Sequence, residues 1–134
     1  MEPLVTPEST QSERLNVIRE LDAAWNSGDL DYILSFYSED FVLTSPVVRT
    51  RLGIADGTLR GKSEVRSWWQ RCLAKFPQLG TELLTVVDGP DHSTMAYVYR
   101  LIYPGSSAQP VVSIFSMNEA NKVCREVFYA EAPA

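Results

Sequence analysis

The sequence is poor in the residues that most often carry metal and nucleophilic chemistry. It holds one histidine and two cysteines among 134 residues. His92 falls in a predicted turn, so a Ser-His-Asp or Cys-His arrangement has no base in position. No spacing of His, Cys, Asp and Glu is typical of a metal site, and no glycine spacing is typical of a phosphate-binding loop. We therefore expect neither a metal nor another cofactor.

Basic clusters and long apolar runs are also missing. Lys and Arg number 12 against 17 Asp and Glu, a net charge of −5. Nucleic acids are bound by clustered Lys and Arg, so no such partner is expected. No apolar run approaches the roughly 20 residues of a membrane span. The N-terminal stretch MEPLVTPEST is too polar for a signal peptide, so we expect no membrane association and a cytoplasmic protein.

The residues that are present fit one globular domain. Apolar residues make up 45% of the chain and charged residues 22%. Residues 1–9 are interpreted as a loose lead-in and residues 10–134 as a single domain. Cys72 and Cys124 are expected to stay reduced in the cytoplasm.

Hydrophobic periodicity predicts helices in the first half of the chain. The first helix ends near Ser27, and a short second helix follows its cap, Asp29, with Tyr37 expected on its apolar face. One strand follows and ends at Pro46, because proline interrupts strand pairing. Residues 47–60 show no clear period and are expected to be a loop. A third helix is expected to begin at its cap, Ser63, to carry Cys72 on its inner face, and to stop before a proline.

The second half of the chain is predicted to be an antiparallel meander. Four runs alternate with turn residues: Thr81–Asp88, Thr94–Tyr103, Val111–Asn118 and Lys122–Ala130. This order of elements indicates an α+β domain with three helices on one face of a curved sheet.

Three stretches of the chain resemble a known superfamily. The strings WNSGDLDYILSFYSEDFVLTSPV, LRGKSEVRSWW and NKVCREVFYA are similar to SnoaL-like members of the nuclear transport factor 2-like superfamily. The resemblance implies a cone-shaped, curved, mostly antiparallel sheet, wrapped by three N-terminal helices and enclosing an apolar pocket. Many members pair through the outer face of the sheet, which implies a homodimer. Members include isomerases, cyclases, hydrolases, dehydratases and binding modules, so the fold does not give the activity.

The implied pocket would be lined by helical aromatics and by alternate residues of the strands. The expected ligand-binding residues are Trp25, Tyr37, Ser45, Trp68, Trp69, Leu73, Ser113, Phe115 and Phe128. Each aromatic residue has the alternative of simple core packing. Three tryptophans in so small a domain nevertheless favour large flat walls, which suit a small apolar molecule.

Ketosteroid isomerases are similar to this chain in local pattern, but the similarity fails at their catalytic positions. Their aspartate base falls on Ser45, their oxyanion-hole tyrosine on Leu21 and their oxyanion-hole aspartate on Ser113. A serine hydroxyl with no base beside it cannot abstract a proton next to a carbonyl. Ketosteroid isomerase activity is therefore not expected, although the tyrosine that supports the oxyanion hole has a counterpart in Tyr37.

Glu126 is the first candidate for acid–base catalysis. Glu126 and Arg125 point to opposite faces of the last strand, and the period alone does not decide which is inside. The resemblance places pocket residues at 126, 128 and 130, and the cyclases' catalytic aspartate near Phe128, so Glu126 would replace it. Burial would raise the pKa of this carboxyl. The alternatives are an exposed Glu126 paired with a basic residue of a neighbouring strand, or an inward Arg125 that binds anions.

Asp22, at the edge of the first helix's apolar stripe, is the second catalytic candidate, and Asp56 on the predicted loop could reach the pocket opening. Tyr97 and Tyr99 share a strand face that either lines the pocket or forms a dimer contact. Two functions therefore stay open. One is cofactor-free acid–base catalysis of the isomerase, cyclase or hydrolase type, and the other is a non-catalytic binding or dimerisation module.

Overall fold

The computed structural model describes residues 7–89, 93–103, 105 and 108–130. Within these residues the chain forms four helices and six strands. The helices are α1 (Pro7–Ser27), α2 (Leu30–Leu34), α3 (Pro46–Leu52) and α4 (Lys62–Lys75). The strands are β1 (Tyr37–Thr44), β2 (Thr58–Arg60), β3 (Gly80–Asp88), β4 (Thr94–Ile102), β5 (Gln109–Met117) and β6 (Val123–Tyr129).

The strands form one curved sheet that does not close into a barrel. Their order is β2-β1-β6-β5-β4-β3, so β2 and β3 are the two edges. Strands β3 to β6 pair antiparallel in sequence order, which confirms the predicted meander. Strand β1 joins the sheet through parallel pairing with β6, and β2 pairs antiparallel with β1. The predicted α+β class, with N-terminal helices and a mostly antiparallel sheet, is confirmed.

The helices cover one side of the sheet, which we call the inner face and which carries Tyr97, Phe115 and Glu126. Helix α1 packs against β3, and α4 packs against β1. The helical apolar stripes supply much of the core, because Ile18 and Leu21 of α1 and the helix residues Ile33 and Val65 are fully buried.

Residues 47–60, predicted to be a loop, contain α3 and β2, so that prediction was wrong. The Ser45 hydroxyl accepts a hydrogen bond from the Val47 N–H at 3.1 Å, and Pro46 occupies the first helical position. Gly53, with φ of 68°, ends the helix. A helix of 7 residues with one buried side chain, Val48, is too short to show a helical period.

The start of α4 also differs from the prediction. Its N-cap is Gly61 rather than Ser63, and no side chain caps it. The Glu64 carboxylate instead accepts a hydrogen bond from the Arg60 backbone N–H at 3.0 Å. Glu64 therefore links the first turn of α4 to the end of β2.

Strand β1 begins earlier than predicted. Tyr37 was expected on the apolar face of the second helix, but α2 ends at Leu34 and Tyr37 pairs with Val123 of β6. The register then shifts before Val42, which breaks the alternation of the strand. Tyr37 is nevertheless fully enclosed, as the apolar pattern required.

The two cysteines, Cys72 and Cys124, are both free. None of the described helices is both long and apolar enough to span a membrane.

Candidate functional site

A cavity of about 680 Å³ lies between the inner face of the sheet and the helices α1, α3 and α4. This volume falls in the range of small-molecule sites. The predicted residues that line it are Trp25, Tyr37, Ser45, Trp68, Trp69, Phe115, Glu126 and Phe128. Tyr97 and Tyr99 also line it, so their side chains face the cavity and not the outside of the sheet.

Three predicted site residues do not line the cavity. Leu73 lies on another side of α4, in a shallow groove beside Gln70 and Ala74. Ser113 is fully buried behind the wall and reaches Glu126 from there. Asp22 is partly exposed and does not line the cavity, and its carboxylate accepts a hydrogen bond from the Tyr97 hydroxyl.

Ring contacts hold the aromatic wall together. The Trp69 ring meets the ring of Trp25 edge-on, with centroids 5.0 Å apart, and the ring of Tyr37 at 5.1 Å. Tyr37 in turn lies 4.5 Å from Phe41, which belongs to the core. Such tilted and edge-on pairs are favourable beyond the area that they bury. The wall is therefore anchored in the core through Tyr37 and Trp69.

Glu126 lies in the middle of the sheet and points into the cavity. Strand β6 has β5 on one side and β1 on the other, and Glu126 pairs with Phe115 and Leu43. Only 6% of Glu126 is exposed, whereas Arg125 is exposed on the opposite face. The register of β6 therefore places Glu126 on the inner face and Arg125 on the outer face, which the alternation of charges alone did not decide.

Two hydroxyl groups hold the Glu126 carboxyl. The Ser113 hydroxyl donates to Oε2 at 2.8 Å, and the Tyr37 hydroxyl donates to Oε1 at 3.4 Å. Burial raises the pKa of Glu126 to about 7, while the hydrogen bonds from Ser113 and Tyr37 act in the opposite direction. Near neutral pH the carboxyl therefore exists in both protonation states, as proton transfer to or from a ligand requires.

Tyr99 and Tyr97 line the cavity next to Ser113 and continue the polar contacts of Glu126 along the sheet. The Tyr99 hydroxyl lies 3.1 Å from the Ser113 hydroxyl, and its ring stacks on Tyr97 with centroids 4.1 Å apart. The Tyr97 hydroxyl donates to the Asp22 carboxylate, which also accepts from the Thr81 hydroxyl at 2.7 Å. Burial raises the pKa of both phenols above their usual value, so both stay protonated. Asp22 therefore orients a cavity-facing phenol.

Three basic side chains that the sequence did not point to also line the cavity: Arg51, Arg71 and Lys75. Arg51 lies on α3, in the segment that shows no period. Arg71 and Lys75 are four residues apart on α4 and therefore share one side of that helix. The four-residue spacing of Arg71 and Lys75, next to the predicted inner residue Cys72, was the one signal in the sequence that basic residues line the cavity.

The other polar candidates lie away from the cavity or outside the described residues. Asp56 is exposed and forms an ion pair with Arg60 at 3.4 Å. His92 lies outside the part of the chain that the structure describes. Within that part, no group of three or more His, Cys, Asp and Glu side chains could hold a metal ion.

The family model of the SnoaL-like domain matches residues 18–126, from the middle of α1 to Glu126. The chain belongs to the SnoaL-like family. Among solved structures, it is similar to a SnoaL-like protein of unknown function from Burkholderia thailandensis, with 27% sequence identity and a TM-score of 0.82. That likeness covers 98% of this chain and 100% of the other.

Two further structures share the SnoaL-like fold at lower identity. TerC, co-crystallised with polyporic acid, is 14% identical, with a TM-score of 0.71 over 88% of this chain and 91% of TerC. SalBIII, an epoxide hydrolase/cyclase-like enzyme with a role in pyran ring formation in polyether salinomycin, is 14% identical, with a TM-score of 0.71 over 90% of this chain and 92% of SalBIII. At such identities the likeness shows the fold alone. The curated proteins compared with the chain include no match.

Proposed function

We propose that this SnoaL-like protein binds a small apolar molecule in its cavity and that Glu126 transfers a proton to or from it without a cofactor. One observation carries the proposal: a buried carboxyl lines the cavity, and burial raises its pKa to about 7. A general acid or base acts best when its pKa lies near the working pH, and such a group accelerates proton transfer by roughly 10²–10⁴-fold.

The two protonation states of Glu126 would serve opposite directions of proton transfer. The protonated carboxyl donates its O–H to a ligand oxygen on which charge develops as a C–O bond breaks. The carboxylate accepts a proton from a carbon acid, a hydroxyl or a water that attacks the ligand. Ser113 and Tyr37 hold the carboxyl in one orientation through both states. Only 6% of Glu126 is exposed, so solvent screens its interactions with a ligand weakly.

The reaction class is that of an isomerase, cyclase or hydrolase. The resemblance in fold to TerC and SalBIII supports a polycyclic or ring-forming ligand. Ketosteroid isomerisation is not part of the proposal, because Ser45 stands at the position of the aspartate base. Its hydroxyl caps α3 through the Val47 N–H, and a serine there supplies no base.

Two probe reactions test the catalytic assignment. We expect the protein to accelerate the hydrolysis of styrene oxide or the deuterium exchange of 2-tetralone in D₂O, with a rate that titrates near pH 7. Glu126→Gln removes the titrating group and is expected to lower the rate about 100-fold. Glu119→Gln, at an exposed position in the β5–β6 turn, is the control and keeps the full rate. A wild-type rate in Glu126→Gln would overturn the assignment.

A non-catalytic binding module is the second candidate function. It is favoured by the hydrogen bonding of Glu126, whose described partners are hydroxyl groups and include no second acid or base. In that case Glu126 anchors a ligand as a hydrogen-bond partner only. Carbon-13 NMR titration of the Glu126 carboxyl separates the two functions, since a pKa near the ordinary ~4.3 would favour simple binding.

We also propose that two copies pair through the outer face of β4, β5 and β6. Alternation from Tyr97, Ser113 and Phe128 places a row of apolar side chains on that face. The row consists of Val98, Val112, Ile114, Val127 and Tyr129. Light scattering is expected to give the mass of two chains, and the mass of one chain would contradict the proposal.

A further inference from the structure

The charge that lines the cavity has the opposite sign to that of the whole molecule. The chain carries a net charge of −5. The cavity wall, in contrast, holds Arg51, Arg71 and Lys75, and Glu126 is the one acid among its described lining residues. Because Glu126 is buried and partly protonated near neutral pH, the cations dominate the potential there.

The three cations converge on one part of the wall. Arg71 and Lys75 lie one turn apart on α4, and Arg51 reaches the same region from α3. All three lie near enough to the Cys72 thiol, which lines the cavity, to lower its pKa electrostatically. Burial raises the pKa of this thiol to about 11, and the nearby cations counteract part of that rise. The cations repel one another, and an anion bound among them would offset that repulsion.

No carboxylate of the described residues neutralises this group. The ion pairs that the structure shows are Arg60–Asp56, Lys62–Glu39, Arg66–Asp31 and Arg100–Glu82. The Lys75 ammonium instead lies 5.5 Å from the ring centroid of Phe76, which also lines the cavity.

Helix dipoles explain only part of this arrangement. Arg51 and Lys75 lie in the last turns of α3 and α4, where positive charge is favourable. Arg71 lies before the last turn of α4, and a dipole does not require any of the three side chains to face the cavity. All three side chains line the same cavity, where one negatively charged ligand could contact them together.

We infer that the ligand is an apolar molecule with a carboxylate at one end, which Arg51, Arg71 and Lys75 bind while the other end reaches Glu126. This inference rests on the proposed binding function. The three basic residues are exposed, whereas Glu126 is 6% exposed, so the cations mark the open end of the cavity and Glu126 the enclosed end. The reverse orientation would bring two carboxyl groups together, which is unfavourable. The cations therefore fix which end of the ligand meets the proton-transfer group.

A matched pair of probes tests the inference. 1-Pyrenebutyrate and 1-pyrenebutanol share one apolar body and differ in the carboxylate. All three tryptophans line the cavity, so quenching of their fluorescence by pyrene reports binding. We expect the carboxylate to bind about tenfold more tightly than the alcohol, and added salt to weaken the carboxylate selectively. Arg51→Gln/Arg71→Gln/Lys75→Gln is expected to remove this preference and to leave the alcohol's affinity within about twofold.

Arg49→Gln is the matched control, because Arg49 is an exposed cation of the same helix that does not line the cavity. It is expected to leave both affinities unchanged. Equal binding of the two probes by the wild type, or a preference that survives Arg51→Gln/Arg71→Gln/Lys75→Gln, would overturn the inference and leave the binding function standing. If neither probe binds, the proposed binding function fails, and the inference fails with it.

Discussion

Glu126 links the chemistry of the cavity to the stability of the protein. Burial raises the pKa of this carboxyl from 4.5 to about 7, so the folded protein binds the proton more tightly than the unfolded chain does. The resulting stabilisation is fully present below the unfolded pKa of 4.5 and is lost as the pH rises through the folded pKa of about 7. Above that pH a buried carboxylate destabilises the fold.

Glu126→Gln is expected to stabilise the protein at high pH. The amide carries no charge at any pH, so the variant should be more stable than the wild type at pH 8 by up to about 3 kcal/mol. At pH 4.5 the two should differ by less than about 1 kcal/mol, because the amide oxygen still accepts a hydrogen bond. Urea unfolding across this pH range measures the difference. A difference that does not change with pH would contradict the raised pKa.

Ser113→Ala is expected to raise the pKa of Glu126 further. The Ser113 hydroxyl donates to the carboxylate at 2.8 Å and so favours the charged form. Its removal should shift the titration upward by about one pH unit, as observed by carbon-13 NMR. Tyr37→Phe, which removes the longer hydrogen bond of 3.4 Å, should give the smaller shift. The reverse order would show that the Tyr37 hydroxyl is the main partner.

The sequence allowed Glu126 to be chosen as a candidate but not to be placed. Arg125 and Glu126 are both charged, so alternation alone fits either orientation of β6. Pairing with Phe115 and Leu43 decides the orientation, and that register depends on residues distant in the sequence. Leu73 shows the same limit on a helix. It borders the apolar side of α4, and tertiary packing turns it away from the cavity.

At the scale of elements, the segment of α3 and β2 depends on one close backbone approach. The Ser45 N–H donates to the Gly57 carbonyl at 2.8 Å, which joins the start of β2 to the end of β1. Gly57 has φ of 64°, and a Cβ placed there would lie 2.7 Å from the Ser45 carbonyl oxygen. Both the conformation and the space therefore require glycine.

Gly57→Ala is expected to destabilise the protein more than Gly53→Ala. Gly53 also has a positive φ, of 68°, but a Cβ there meets nothing within 4 Å. Gly53→Ala should therefore cost about 1 kcal/mol, from the backbone conformation alone. Gly57→Ala adds the contact with Ser45 and should cost about 2–3 kcal/mol. Chemical denaturation of both variants measures the difference, and equal costs would mean that the Ser45 carbonyl moves aside freely.

Long elements were predictable, whereas among the short ones α2 was predicted from its cap, Asp29, and α3 and β2 were not. Helices α1 and α4 and the strands of the meander each repeat their pattern often enough to be recognised. Ser45, Pro46 and Gly53 bound α3 with typical helix signals, but serine, proline and glycine also mark turns. With 7 residues between them, nothing local decides between a helix and a loop.

At the scale of the whole molecule, the fold class followed from element order, but the cavity did not. The space between α4 and the sheet depends on distances that no periodic pattern encodes. The cations that line it come from α3 and α4, so they form no run in the sequence. A chain with a net charge of −5 thus holds a positive group that composition cannot reveal.

Val112→Asp is expected to separate the proposed dimer. Val112 lies between Val98 and Tyr129 on the outer face, where a buried charge would oppose pairing. Light scattering should then give the mass of one chain. Val87→Asp is the control, because Val87 is 57% exposed at the far end of β3 and should leave the mass of two chains. Both variants should still bind 1-pyrenebutanol, since the outer face is opposite to the cavity.

The parallel pairing of β1 with β6 has a consequence for how the protein is made. Residues 37–44 pair with β2 on one side, but they find their parallel neighbour on the other side only when residues 123–129 are available. A nascent chain on the ribosome therefore holds its first strand unpaired on that side until the last strand has been synthesised. Such late closure is slow and leaves a strand edge exposed to chaperones or aggregation. Because Glu126 lies on the closing strand, no shorter intermediate can place this buried carboxyl in the cavity.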